Sequence, residues 1–200
     1  ILGYTLYKLI SGNDEQSSAA AKKTLIIVGS SDALMIVGIA LIWNITGTFT
    51  ISEMQIATTS GSANMAFILL TIGAFTKAGA FPFHTWIPDY AENAHGISSA
   101  FLPASLDKLI GIYFLVLLCT RIFILNEWII LVLIVIGVLT IIIAVMMALI
   151  QHNYKKLLGY HAVSQVGYMV LGIGLGSPLG IAAGLFHMIN HAVYKSGLFL

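Results

Sequence analysis

Long apolar runs separated by short polar breaks dominate this chain. A membrane span needs about 20 mostly apolar residues. Runs of that length occur at about 24–45, 62–83, 97–122, 127–150, 157–175 and 179–200. Residues 1–10 read as the tail of a further helix, stopped by Ser11-Gly12-Asn13-Asp14. The run from Ile129 to Ile150 holds no charged residue and is the clearest span. The stretch 46–61, with its Thr and Ser residues and Glu53, reads as an interfacial connection. One span is interrupted near residues 78–88, where Ala78-Gly79-Ala80-Phe81-Pro82-Phe83 follows Lys77 and Pro88 stands beyond. Proline removes a backbone donor and glycine adds freedom, so the pattern predicts a broken helix. Broken helices at membrane depth line cavities or are buried by protein. The alternative is a helix that simply ends at Pro82 near the surface.

Composition narrows the class. Of 200 residues, 58% are hydrophobic and 8% charged, against about 25% charged in soluble domains. A water-facing surface cannot be built from this set, so the expected fold is an all-α, polytopic transmembrane helix bundle forming one domain over residues 1–200. The net charge of +1 gives no basic surface for nucleic acid. The single cysteine, Cys119, excludes a disulfide and a cysteine-ligated cluster within the chain. No P-loop, dinucleotide fingerprint or haem signature is present, so no cofactor is expected here. The chain opens Ile1-Leu2-Gly3-Tyr4 and stops inside an apolar helix, which reads as an internal segment of a longer membrane subunit. Alternating the spans puts Lys8, Lys22, Lys23, Lys155 and Lys156 on one side, and Arg121 with Glu53 and Glu127 on the other. The positive-inside rule then assigns the lysine-rich loops to the cytoplasm.

Seven titratable residues interrupt the apolar runs: Asp32, Lys77, Asp107, Lys108, His187, His191 and Lys195. Charge at membrane depth costs roughly 2.5–3.5 kcal/mol per group on insertion scales. Such groups face a bundle interior or a hydrated cavity and commonly mark an ion path. His187, His191 and Lys195 recur every four residues, stepping about 12 Å down one helix face. Imidazole and desolvated amine both exchange protons near neutrality, so a water-bridged relay is one reading. Satisfied core residues are a second, and a metal shared by His at i and i+4 is a third, weakened by the lack of a nearby carboxylate.

The other groups keep two readings each. Lys77 just before the break is a relay group or a lysine reaching to the interface. Asp32, beside Ser30 and Ser31, can pair with a lysine on a neighbouring helix, the basis of an ion-pair switch. Asp107 and Lys108 point about 100° apart and are expected to meet different helices, with Pro103 one turn earlier kinking their helix. Transport and helix glue weigh equally for them. His161, Ser164, Gln165 and Tyr168, at offsets 0, 3, 4 and 7, give their helix a polar face that holds water or ties helices. Tyr154, Lys155 and Lys156 read as a solvated turn. His84, Asp89, Glu92 and His95 read as connection or interface residues.

Three segments together are familiar. Lys77–Asp89 (KAGAFPFHTWIPD), Tyr154–Tyr168 (YKKLLGYHAVSQVGY) and Phe186–Lys195 (FHMINHAVYK) resemble the proton-translocating antiporter-like subunits. That family includes large membrane subunits of respiratory complex I, Mrp-type sodium/proton antiporters and the membrane arm of energy-converting hydrogenases. Phe101–Tyr113 (FLPASLDKLIGIY) looks closest to the hydrogenase-type members.

The resemblance implies an inverted-repeat fold of which this chain covers the later half of the first repeat and the start of the second. It implies a proton relay of Lys77, His187, His191 and Lys195, with Asp32, Asp107, Lys108 and His161 as partners. The glutamate that pairs with the Lys77 position in the family is expected before Ile1. Many complex I relatives carry histidine where Pro103 stands, and arginine within the stretch matching Val28-Gly29-Ser30-Ser31. Lys108 is therefore a candidate to take over one relay role. The expected function is proton or sodium translocation in a redox-driven complex of a prokaryotic cell membrane, beside further antiporter-like subunits. The chain itself would be a non-redox subunit of the multisubunit oxidoreductase. A subunit of a secondary Mrp-type antiporter and a structural membrane scaffold are the alternatives.

Overall fold

The computed structural model describes residue 10 and residues 15–200. The expected tail helix up to residue 9, with Lys8, and its stop at 11–14 lie outside the described residues. Eight α-helices make up most of the rest. Helix α1 is Glu15–Thr46, α2 Gly61–Ala78, α3 Trp86–Asn93 and α4 Gly96–Phe101. Helix α5 is Asp107–Leu117, α6 Glu127–Leu149, α7 Tyr154–Gly174 and α8 Pro178–Phe199. Side-chain caps set several starts. Ser60 accepts from the Ala63 N–H, Asn126 from Ile129 and Ser177 from Gly180, each satisfying an orphan donor of the first turn.

Two π-type turns, Leu102–Leu106 and Leu118–Ile122, flank α5. Together with α4 they make one rod over Gly96–Ile122, long and apolar enough to cross a bilayer, as are Glu15–Thr46 and Glu127–Leu149. The first widened turn sits at Pro103, which has no N–H for the regular ladder. The expected kink at that position is thus a bulged turn.

The broken helix is present, with a shorter first half than hydropathy predicts. α2 ends at Ala78 rather than near residue 83, because Gly79 adopts φ +85° and closes the helix with its N–H on the Phe75 carbonyl. A β-carbon there would lie 1.9 Å from Ile87 Cδ1. Residues 80–85 then turn the chain into the short α3. Hydropathy misses this end because the residues across it remain apolar.

Glycines let the spans approach closely, as in other membrane bundles. A β-carbon on Gly111 of α5 would lie 2.5 Å from Ala78 N, and one on Gly167 of α7 would lie 2.7 Å from Gly137 O of α6. Large apolar residues such as Trp128, Ile142, Leu149, Leu179 and Phe186 are exposed on the outside, as lipid contact requires. The connection at 46–61 forms a two-residue parallel pairing not foreseen from the sequence: Ile56–Ala57 (β1) lies beside Phe123–Ile124 (β2). Thr58 Oγ1 donates to the Ile124 carbonyl and Asn126 Nδ2 to the Thr58 carbonyl, at 2.9 Å each. This pairing closes the end of the bundle holding Arg121, Glu53 and Glu127. Lys23 and Lys156 converge at the other end.

Candidate functional site

The interruption beside Lys77 places its ammonium against a carboxylate. Lys77, buried in the last turn of α2, pairs with the half-buried Asp32 of α1. The expected partnership of Asp32 with a neighbouring lysine is therefore realised by Lys77, across two adjacent spans. The free carbonyls at the end of α2 are also bound. Phe75 O accepts from Gly79 and Ala80 N–H, and Thr76 O accepts from the Trp86 indole N–H at 3.0 Å.

Asp107 and Lys108 are each 1% exposed. Lys108 Nζ donates to the Pro103 carbonyl at 2.5 Å, a group freed within its own rod by the widened turn. This differs from the expectation that both residues meet other helices: Lys108 hydrogen-bonds within its rod, and neither Asp107 oxygen has a hydrogen-bond partner among the described residues. Asp107 nevertheless lies within electrostatic reach of both Lys108 and Lys77, and Lys108 within reach of Lys195.

His191 and Lys195 of α8 are both 0% exposed. Lys195 Nζ lies 3.0 Å from His161 Nδ1 of α7. His187 Nε2 lies 2.9 Å from Gln165 Oε1, also of α7. The rings of His187 and His191 are 6.4 Å apart, and Tyr194 packs edge-on to His191 at 5.2 Å. Neither ring nitrogen of His191 has a hydrogen-bond partner among the described residues. The charge fields of Lys108, Lys195, His187 and His161 all act on His191, so it sits at the meeting point of α5, α7 and α8.

The eight residues read as relay groups and partners lie on α1, α2, α5, α7 and α8, joined partly by direct contacts and partly by the reach of their charges. Most are shut from the surroundings, but His161 is exposed and His187 half-buried, with Tyr168 beside His187 at 6.2 Å. The polar face of α7 thus meets α8 on one edge and lies open on the other. No group of three or more metal-ligating side chains occurs among the described residues.

Three features escaped the sequence reading. The Pro103 carbonyl that receives Lys108 is invisible to any residue pattern. Asp89 and Glu92, which read as connection or interface residues, form ion pairs: Asp89 with Lys23 at 2.6 Å and with Lys156 at 3.9 Å, and Glu92 with Lys156 at 2.8 Å. The turn of Tyr154, Lys155 and Lys156 is correspondingly less solvated than expected, since both lysines are half-buried and Lys155 Nζ donates to the Ala94 carbonyl at 3.3 Å. The sequence signal was available in the two carboxylates of α3, one turn apart, opposite two lysine pairs.

Comparison with known proteins shows the family of the chain. A family model described as NADH:quinone oxidoreductase/Mrp antiporter, transmembrane, matches residues 1–200. An uncharacterised protein of Methanocaldococcus jannaschii, MJ1309, is 41% identical over 174 residues, covering 84% of this chain and 36% of its own. The Mrp complex from Dietzia sp. contains a chain that superposes with a TM-score of 0.89 at 26% identity, over 97% of this chain and 37% of that one. A chain of the membrane-bound sulfane sulfur reductase, an archaeal respiratory membrane complex, superposes with a TM-score of 0.83 at 26% identity, over 98% and 42%. The chain therefore spans about a third of the length of MJ1309 and between 18% and 40% of other curated relatives that it matches.

Proposed function

Because the chain belongs to the NADH:quinone oxidoreductase/Mrp antiporter transmembrane family, we propose that it translocates protons or sodium ions through the membrane arm of a redox-driven complex. The observation that carries this reading is the series of titratable groups, most of them buried, that runs from Asp32 and Lys77, through Asp107 and Lys108, to His191, Lys195 and the exposed His161.

The chemistry follows from charge crowding. Lys77 is paired with Asp32, and breaking that contact leaves both charges uncompensated at the start of the series. Asp107 lies within the charge fields of both Lys108 and Lys77. Lys108 and Lys195 repel when both are charged, so a proton arriving at one drives a proton from the other toward His191 or His161. The orphaned oxygens of Asp107 and nitrogens of His191 are the places where water would bridge the series. Energy enters when a neighbouring subunit changes the charge at one end. Electron transfer belongs to other subunits, and this chain is the later half of one repeat and the start of the next in a longer subunit. The bilayer is a prokaryotic cell membrane, with the lysine-rich end in the cytoplasm.

The second reading, a subunit of a secondary Mrp-type antiporter, is favoured by the match to the Dietzia complex. It uses the same relay with an ion gradient as the driving force. Both readings are tested by reconstituting the intact complex, with Lys195→Met in this subunit, into proteoliposomes. Transport is expected to fall about a hundredfold, the low end for loss of a positioned proton-transfer group, in a complex that assembles normally. Unchanged transport would leave only a scaffolding role. Co-purifying iron–sulfur subunits support the redox-driven reading, and their absence supports the antiporter.

A further inference from the structure

The short helix after the break holds no member of the relay, yet it is tied to three helices that do. Asp89 of α3 shares its carboxylate between Lys23 of α1 and Lys156 of α7. Glu92, one turn on, takes Lys156 at 2.8 Å. Trp86, in the first turn of α3, is fully buried, and its indole N–H binds the Thr76 carbonyl next to Lys77. Behind this polar edge, Trp86, Ile87 and Tyr90 pack with Ala20, Ala21 and Val28 of α1 and Val163 of α7. A β-carbon at Gly159 of α7 would lie 2.8 Å from Pro88 Cα, so α7 and α3 are nearly in backbone contact.

The clasp lies beside an open cleft of about 390 Å³, and its pairs are partly exposed, Lys23 at 40% and Asp89 at 29%. Exposed pairs contribute little to stability, so strength is not what this arrangement supplies. Placement is. Asp32 lies nine residues beyond Lys23, about 14 Å further along α1. Lys77 lies one residue beyond the carbonyl that Trp86 holds. One helix thus sets the height and rotation of both supports of the Asp32–Lys77 pair.

We propose that Asp89 is a positioning residue for ion translocation, holding α1 through Lys23 so that Asp32 meets Lys77. The inference rests on the proposed use of that pair in transport. When Asp89 loses its charge, α1 is released at its lysine end and the Asp32 carboxylate withdraws from the ammonium. A longer carboxylate at position 32 bridges the gap.

The test measures ion transport by the intact complex in proteoliposomes, normalised to assembled complex, for D89N, D89E, D32E, D32N and D32E/D89N. D89N is expected to slow transport about threefold or more, within the range of coupled sites, and D89E to restore it. The loss caused by D89N should shrink or vanish in the D32E background, because the longer arm tolerates the displaced helix. An equal fold-loss in both backgrounds, or full transport by D89N, overturns the positioning role. Normal transport by D32N would instead remove the pair from the mechanism and strike at the proposed function. If D89N does not assemble, K23Q replaces it in the same comparison and is read in the same way.

Discussion

His191 shows what a single residue is worth in this fold. It is shut away completely, and neither ring nitrogen finds a hydrogen bond among the described residues. A buried polar group left without partners costs about 1–3 kcal/mol. A chain selected for stability alone would place leucine there, with similar volume and no polar atoms. His191→Leu should therefore melt at the same temperature as the parent complex or higher, and lose transport. A thermal shift assay in detergent and transport in proteoliposomes check the two halves. A lower melting temperature with transport intact would make His191 a structural residue. The same logic separates Lys108 from Asp107. Lys108 has found the Pro103 carbonyl at 2.5 Å, whereas Asp107, with no hydrogen-bond partner among the described residues, is balanced by the fields of Lys108 and Lys77. The residue types and their helical spacing were legible in the sequence. The Pro103 carbonyl was not, because backbone acceptors are exposed by a widened turn and leave no mark on the side-chain pattern.

The elements position these residues by close approach and by interruption. The rod from Gly96 to Ile122 leans on the end of α2 through Gly111, where a β-carbon would meet Ala78 N at 2.5 Å and Ala74 O at 2.7 Å. These are backbone atoms and cannot swing aside. Gly111→Val should force α2 and α5 apart, carrying Lys77 away from Asp107. The expected cost is about 3 kcal/mol, the upper part of the range for overpacked cores, with transport falling alongside. Thermal unfolding of the purified complex measures it, and a variant as stable as the parent would contradict the packing described. Interruption does the complementary work. The left-handed Gly79 ends α2 at Ala78, so Lys77 sits in a last turn whose carbonyls are held by Gly79, Ala80 and Trp86. The broken helix near 78–88 was readable from Pro82, Pro88 and the glycine. Its true end was not, since hydropathy stays high across the turn and only the backbone angle at Gly79 stops the helix.

At the scale of the whole molecule the charges sort by end. Lys23 and Lys156 meet Asp89 and Glu92 at one end, and the Ile56–Ala57 and Phe123–Ile124 pairing closes the other. Single cysteines at Asn153 and Ser60, introduced with Cys119→Ser, should therefore be labelled by impermeant reagents from opposite sides of the membrane. Position 153 is expected to react from the cytoplasm; reaction from the outside would invert the proposed orientation. Membrane residence, the helical class, the placing of the long helices and the set of titratable groups were determined by the sequence itself. They depend on transfer free energies and on the 3.6-residue period, which act locally along the chain. The pairing of Asp32 with Lys77, the contact of Lys195 with His161 and the clasp on Asp89 join residues 34 to 67 positions apart. Only the tertiary structure decided these, because which helices become neighbours depends on how their small residues let backbones close, a property of the packed bundle and of no single segment.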